Sequence, residues 1–364
     1  MRAAITAAAL ALSISVGVPT AAAARKPQPV TVMSYNIFQG SELSHTLSAG
    51  SLAALPPAVA ADYANVIASN IPARAAAIAA EIKASKPDLV GLQEAVLWRT
   101  QSPPVGIKIP GTATTVSYDS VALLVKALRR LGLQYRAAAI TKNVDVQATG
   151  AFPHDRKFDV RFTDRVAILA RQGVAISNVQ DQNYVAHDSF TLLGSVPIKV
   201  PDGWASVDAR VGRTQLRFIT SHLDGLNDSN APGIRAAEAQ EIVSGPAHTN
   251  LPVVFTCDCN ATSTTTTHHE LTAAGLHDSW AQIHPHLAGL TCCHRSFPSD
   301  PEVNVADPKP KQGIIERIDY IFTRSPFKVL AERTVGLAPG DRTKTSPKLW
   351  PSDHLGLVAS LALP

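Results

Sequence analysis

Five strand-length apolar runs in this chain lead into a carboxylate, a histidine or an asparagine. Val30–Val32 leads to Asn36, Leu89–Leu92 to Glu94, and Leu216–Ile219 to His222 and Asp224. Val253–Phe255 leads to Asp258 and Asn260, and Ile318-Asp319-Tyr320-Ile321 precedes Ser352-Asp353-His354. Polar groups gathered at strand ends are how an α/β scaffold seats an active site on rigid supports. These residue types ligate metals, bind phosphate and transfer protons, so the chain reads as an enzyme.

The N-terminus stands apart from that pattern. Met1-Arg2 carries the positive charge, Ala3–Val18 is uncharged and mostly apolar, and Ala22-Ala23-Ala24 offers a small-residue cleavage site. These are the parts of a secretory signal peptide, residues 1–24, which makes the mature protein extracellular or periplasmic. The run is short and built from Ala and Ser rather than Leu, which favours export over a membrane anchor. No later segment is apolar for long enough to act as a transmembrane anchor.

Residues 25–364 then form one domain, large but within the range of layered α/β enzymes. Loss of Arg2 takes the formal charge from +4 to +3, dispersed along the chain with no basic tail. Such a charge permits a phosphate-bearing substrate without arguing for one. Nothing in the sequence implies a stable protein partner.

The four cysteines are Cys257, Cys259, Cys292 and Cys293. An even count in an exported chain favours at least one structural disulfide, and three pairings are open. Cys257 and Cys259 flank Asp258 on a strand, so both point to the face opposite the carboxylate. A bridge from there to the Cys292-Cys293 loop would brace the site. A C-x-C plus C-C spacing matches no common structural zinc site.

Strands and helices alternate, which argues for the α/β class. Ala61–Ser85 has Ile67, Ile71, Ile78 and Ile82 at helical spacings, with a break near Asn70 and Pro72. Asp119–Leu131 and Ile234–Val243 are two further helices. Arg165–Leu169, Gly173–Val179, Ser189–Val200, Trp204–Val211 and Thr214–Thr220 are strand-like. Gly212-Arg213 between the last two has the form of a hairpin turn. Gln101–Ser117 is a Pro/Gly/Thr-rich excursion, and Thr264–Thr267 with His268-His269 reads as a helix entry rather than a metal tract.

Taken singly, the strand-end residues are weak signals. Glu94 after a strand is ordinarily a solvated cap, and Asn36 is a common turn residue. Ser221-His222-Leu223-Asp224 is stronger, because it delivers an imidazole and a carboxylate to one face if the strand extends that far. Cys257-Asp258-Cys259-Asn260 repeats the device, and oxygen ligands of this kind suit Mg²⁺ or Mn²⁺.

In their order, these motifs resemble the endonuclease/exonuclease/phosphatase superfamily, the DNase I-like metal-dependent phosphohydrolases. The likeness is carried by Ser34-Tyr35-Asn36, Leu92-Gln93-Glu94, Ser221-His222-Leu223-Asp224, Asp258-Cys259-Asn260, Arg317-Ile318-Asp319-Tyr320-Ile321 and Ser352-Asp353-His354. It implies a four-layer α/β sandwich, two packed mixed β-sheets flanked by helices, with the site at one end. It further implies that Glu94 ligates the divalent metal, with Asn36 supporting the metal or a phosphate oxygen and Asp353 beside it. Asp258 and Asn260 would orient water and phosphate, His222 and His354 would bind phosphoryl oxygens or protonate the leaving group, and Asp319 would hold His354. The general base is left open, Asp258 being one candidate. Asp224 and Arg165 are further candidates for substrate contact, although an ion pair explains Arg165 equally well.

One departure is plain: where the family has Gly-Asp-Phe-Asn or Gly-Asp-Leu-Asn, this chain has cysteines at the first and third positions. The reading is a secreted Mg²⁺-dependent phosphodiesterase of the nuclease type, acting on nucleic acid, a lipid head group or a small phosphodiester. Arg213, Arg217, Arg295 and Arg317 are the basic residues a nucleic acid would use. A sphingomyelinase-like lipid phosphodiesterase is the alternative, disfavoured because Gln101–Ser117 has no Trp or Phe. A catalytically silent binding protein of the same fold is the third, and it predicts missing site groups.

Overall fold

The computed structural model describes residues 29–154, 156–194, 196–294, 314–324 and 326–363. The leader, its cleavage point and Arg295 lie outside the described residues. Strands β1 (Val30–Asn36), β2 (Leu89–Gln93), β3 (Leu97–Gln101), β4 (Thr115–Asp119), β5 (Tyr135–Phe152) and β6 (Arg156–Arg171) belong to the larger sheet. Strands β7 (Ala175–Asn183), β10 (Gly203–Val211), β11 (Thr214–His222), β12 (Val253–Asp258), β13 (His277–Asp278) and β14 (Asp319–Arg324) make the second. Between them β8 (Asp188–Leu192) and β9 (Val196–Val200) pair as a separate hairpin, and β15 (Lys328–Val335) and β16 (Gly356–Ala362) complete the first sheet.

Both sheets are mixed. β1 pairs parallel with β2 and antiparallel with β16, while β11 pairs parallel with β12 and antiparallel with β10. The turn at Gly212-Arg213 joins β10 to β11 as a hairpin, with Val211 opposite Thr214. Helices α1 (Ser44–Leu47), α2 (Leu55–Ala68), α3 (Ile71–Ser85), α4 (Ser120–Arg130), α5 (Ala231–Ser244), α6 (Thr266–Ala273) and α7 (Ser279–Ile283) supply the outer layers.

The break foreseen near Asn70 and Pro72 divides the Ala61–Ser85 region into two helices. Asn70 breaks it at a positive φ of 48°, and its side chain caps the new helix by accepting from Ala73 N. α2 also begins earlier than its spacing suggested, because Pro56 and Pro57 occupy its first turn, where a missing N–H costs nothing.

Period-two alternation sorts each central strand into the layers. Met33 and Tyr35 of β1 and Val90 and Leu92 of β2 pack against Ile78 and Ile82 of α3 and Leu124 and Leu128 of α4. Ile219, Val253, Phe255 and Cys257 face Ala239 and Ile242 of α5 and Leu271 of α6. The alternate residues Val32, Leu89, Phe218, Val254 and Ile321 meet between the sheets. That gives helix, sheet, sheet and helix, the four-layer sandwich.

Followed towards one end, the face between the sheets changes character. Val32 gives way to Ser34 and Asn36, Leu89 to Gly91 and Gln93, Phe218 to Thr220 and His222, and Val254 to Thr256 and Asp258. Gln93 Nε2 donates across the gap to Thr220 Oγ1 at 2.9 Å. Gly91 lets the sheets close there: a Cβ at that position would stand 2.1 Å from Thr256 Oγ1 and 2.6 Å from Thr220 Oγ1.

Gly91→Ala should therefore force the sheets apart at the polar end and destabilise the fold by about 1–3 kcal/mol. Denaturant unfolding of the two proteins side by side measures it, and an unchanged midpoint would mean the sheets do not need this approach.

Candidate active site

The polar end of the two sheets brings together Asn36, Glu94, His222, Asp258, Asn260, Asp319, Asp353 and His354. Asn36 closes β1 and is fully buried. Its Nδ2 donates to Glu94 Oε1 at 2.8 Å and to Asp258 Oδ2 at 2.9 Å, and its Oδ1 accepts from Phe38 N at 3.0 Å. Glu94 leaves β2 at a positive φ of 51°, which turns its carboxylate back so that Oε2 accepts from Gln39 N at 2.6 Å. A left-handed non-glycine backbone is strained and persists only where surrounding bonds over-determine it, as these do.

Asp258 ends β12 with Oδ2 lying 3.6 Å from His222 Nε2 and 3.7 Å from His354 Nε2. Its Oδ1 accepts from Asn260 N at 3.0 Å, and Asn260 also sits at a positive φ of 45°. Asn260 Nδ2 reaches His222 Nε2 at 2.9 Å and the carbonyl of Leu223 at 3.0 Å. On the far side, His354 Nδ1 is 2.9 Å from Asp319 Oδ2. Ser352 Oγ ties this last loop to β1, donating to Asn36 O at 2.7 Å and contacting Asp353 Oδ1 at 3.1 Å.

The charges do not share one fate. Burial and the neighbouring Asp353 raise Glu94 to about 7, against the pull of His222, Asn36 and His354. Burial would also raise Asp258, but His354, His222 and the Asn36 amide outweigh it and hold the carboxyl below its usual range. Burial lowers both imidazoles, yet Asp258, Asp202, Glu94 and Asp164 carry His222 to about 9, and Asp319, Asp258 and Asp353 lift His354 well above its usual value. Asp319 itself is raised, mostly by burial.

The donor set fits a hard divalent cation. Asp353 is buried and Glu94 half-buried, and the two carboxylates repel one another with spare oxygen lone pairs, so a cation is what the pair lacks. Asp258, Asp319 and His354 also present ligand atoms within 4.8 Å of one another. Asn36 turns its NH₂ towards both Glu94 and Asp258 and positions their carboxylates.

Three expectations are corrected. β11 ends at His222, so Asp224 does not share its face; the carboxyl turns towards Leu226 N, the backbone N–H bonds Glu238 Oε2, and burial pushes the group up to about 6. Arg165 is not free for substrate: its guanidinium donates to the carbonyls of Ala95 and Val96 at 2.6 and 2.9 Å and to Asp119 Oδ1 at 2.7 Å. It braces the loop after Glu94 instead. No bridge joins the two cysteine pairs either. Cys257 bonds Cys259 on the α5/α6 side of its sheet, and Cys292 bonds Cys293 near His354, so the pairs sit on opposite faces.

Some contributors escaped the motifs. Arg74, buried in α3, donates to the carbonyls of Ser69, Ile37, Phe38 and Pro351, clasping the loop after Asn36 to the loop before Asp353. A lone charge in Pro-Ala-Arg-Ala-Ala was the only hint. Asp164 and Asp202 stand near His222, and neither lies at the end of a motif.

A family model described as "Endonuclease/Exonuclease/phosphatase family" matches residues 33–354. Among solved structures, an endonuclease/exonuclease/phosphatase family protein from Bacteroides thetaiotaomicron is similar at TM-score 0.54 and 16% identity, over 93% of this chain and 99% of that one. The mannosyl-6-phosphatase of the same organism gives TM-score 0.51 and 16% identity over 92% and 100%. A humanized TDP2 of D. rerio gives TM-score 0.51 and 15% identity over 92% and 98%. Identities this low speak to the fold. No curated protein sequence matches the chain.

A histidine raised on folding stabilises the folded state fully below its unfolded pKa, near 6.5, and that stability fades as pH climbs to about 9. Metal-free protein should accordingly lose stability across pH 6.5–9, with His222 contributing up to about 3 kcal/mol. Urea unfolding at both pH values should show a smaller loss for His222→Asn; an equal loss would place the titration elsewhere.

Proposed function

The chain belongs to the endonuclease/exonuclease/phosphatase family, and from that membership and the geometry of its strand ends we propose that it is an exported, Mg²⁺-dependent phosphodiesterase. One observation carries the reading. A single buried amide holds Glu94 and Asp258 side by side, while two cationic imidazoles converge on Asp258.

Glu94 and Asp353 would hold the divalent ion, which when bound supplies positive charge to the phosphoryl oxygens. Asp258 remains ionised near neutral pH and is placed to accept a proton from an attacking water. His222 and His354, both cationic, neutralise the phosphoryl oxygens, and either can return a proton to the leaving alkoxide. Asp319 keeps His354 oriented and charged. Asn260 holds His222 in place and, through its backbone, one oxygen of Asp258.

Among the described residues, the three arginines considered for nucleic acid do not support a polyanion surface. Arg217 is buried against Asp208 and the carbonyl of Pro246, Arg317 pairs with Asp278 at 2.7 Å, and Arg213 lies at the β10–β11 turn, remote from the site. The phosphodiesterase reading rests on the chemical groups alone. A lipid phosphodiesterase is the second reading, because the Gln101–Ser117 excursion exposes Val105, Ile109 and, on β4, Val116. Its backbone is pinned by Gln147 and Asp159, which fixes that apolar edge in place. No helix of the described residues is long and apolar enough to cross a membrane.

Hydrolysis of DNA, RNA, sphingomyelin vesicles and a simple phosphodiester, with Mg²⁺ and then with chelator, separates these readings. Turnover that stops with chelator is expected for at least one substrate. His354→Ala and Asp258→Asn should each lower it by about 10²-fold or more. Metal binding without turnover of any substrate would favour a binding protein on the same fold.

Because Glu94 is raised to about 7, protons compete with the cation. Mg²⁺ affinity, measured by calorimetry, should weaken by up to about tenfold per pH unit below 7 and level off above it. Affinity independent of pH across that range would remove Glu94 from the metal's ligands.

A further inference from the structure

Cys292 and Cys293, joined as a disulfide, lie against the imidazole of His354. Both sulfurs stand 3.6 Å from His354 Nε2. The other ring nitrogen, Nδ1, is 2.9 Å from Asp319 Oδ2, and a carboxylate there keeps a proton on Nδ1. When an incoming cation displaces the Nε2 proton of the cationic ring, the lone pair left on Nε2 is directed at the sulfurs. A metal-ligating histidine is held in this way, with its second nitrogen donating to a carboxylate.

The spacing has a metric of its own. Zinc sits about 2.3 Å from a thiolate sulfur and about 2.0–2.1 Å from a histidine nitrogen, so tetrahedral angles place the two ligand atoms about 3.6 Å apart. Both sulfur–nitrogen distances meet that value, and the three ligand atoms lie within 4.8 Å of one another. Adjacent cysteines do not make a structural zinc site by themselves. The missing ligand arrives from a loop distant in sequence, and Cys293 remains partly exposed, which gives an ion a way in.

We propose that reduction of the Cys292–Cys293 disulfide opens a site for a thiophilic divalent ion, Zn²⁺, ligated by the two cysteine sulfurs and His354 Nε2. A dithiol passes its two hydrogens to the sulfurs and closes to its own disulfide, or a phosphine takes the oxygen of one water as its oxide while that water's two protons go to the sulfurs; either way the S–S bond becomes two thiols. Each thiol releases its proton when the ion binds. In the disulfide the sulfurs carry no charge to offer, so the oxidised protein has no such site. Zinc held there occupies the nitrogen that faces Asp258 Oδ2 at 3.7 Å, and hydrolysis stops. The loss of hydrolysis rests on the role given to His354 under the proposed function; the binding of the ion does not.

Co²⁺ serves as the spectroscopic probe on the full mature chain, with excess Mg²⁺ present to fill the oxygen-ligand site. Reduced, desalted protein should take up one equivalent with thiolate-to-cobalt charge-transfer absorption, and untreated protein should show none. The double variant C292S/C293S, reduced in the same way, should lose that absorption. It should keep basal hydrolysis and become at least tenfold less sensitive to Zn²⁺. His354→Gln should keep a weaker, shifted absorption. The proposal is overturned if reduced protein shows no charge-transfer absorption, if C292S/C293S retains it, or if His354→Gln leaves it unchanged. Zn²⁺ bound at this site with hydrolysis unaffected would instead overturn the catalytic role of His354 and leave the metal site standing.

Discussion

One amide nitrogen, Asn36 Nδ2, donates at 2.8 Å to Glu94 Oε1 and at 2.9 Å to Asp258 Oδ2, and those carboxylates come from different sheets. Without a donor between them, two buried acids at this separation would repel across a medium that screens poorly. The amide satisfies one oxygen of each and fixes their spacing. It needs β1 to end level with both β2 and β12, and the parallel pairing of Asn36 with Gln93 provides half of that alignment. The close approach at Gly91 and the Gln93–Thr220 bond provide the other half. The apolar core between the sheets can then be read as the platform that delivers this one contact.

Arg74 protects the same contact from the side. Its guanidinium accounts for four backbone carbonyls, two of them just after Asn36 and one just before Ser352. Burial lowers its pKa to about 10, but Asp353 and Glu94 oppose that drop, and the group stays charged at any neutral pH. A buried cation beside Glu94 and Asp353 also limits how much negative charge the site accumulates. Removing it would leave those carbonyls unpaired in a dry layer, a larger loss than its bonds alone would suggest.

The four-layer sandwich was legible because alternation inside short runs such as Val253–Asp258 is a strictly local property. It assigned Phe255 and Cys257 to one face and Val254, Thr256 and Asp258 to the other, as the layers have them. The gathering of Asn36, Glu94, His222, Asp258, Asn260, Asp319, Asp353 and His354 was legible through the order of motifs. What failed depended on where a strand stops or what a long side chain reaches. Asp224 lost its place because β11 stops two residues short of it, and Arg165 lost its freedom to carbonyls seventy residues away in sequence. Arg74 went unseen because its partners are backbone atoms, which leave no trace in side-chain spacing. Cys257 and Cys259 were assigned to the right face, away from Asp258, and the other pair beside His354 lies on the opposite side, which forbids the bridge between them.

The two acids held by Asn36 start from similar burial and end in different states, and the cause is what faces them. Asp258 looks at two imidazoles, whose charge more than repays its desolvation. Glu94 looks first at Asp353, so burial and repulsion add, and its carboxyl waits near neutrality for a positive charge. Two carboxyls pushed apart by their surroundings are a recognisable division of labour in hydrolytic sites. Here it runs along the seam between the sheets: the larger sheet contributes the acid in need of a cation, and the smaller contributes the acid already supplied with two. A charge-neutral substitution on either side therefore does more than delete one group. Loss of His354 or His222 would let Asp258 drift upward towards Glu94, and the site would lose the asymmetry between its two carboxyls.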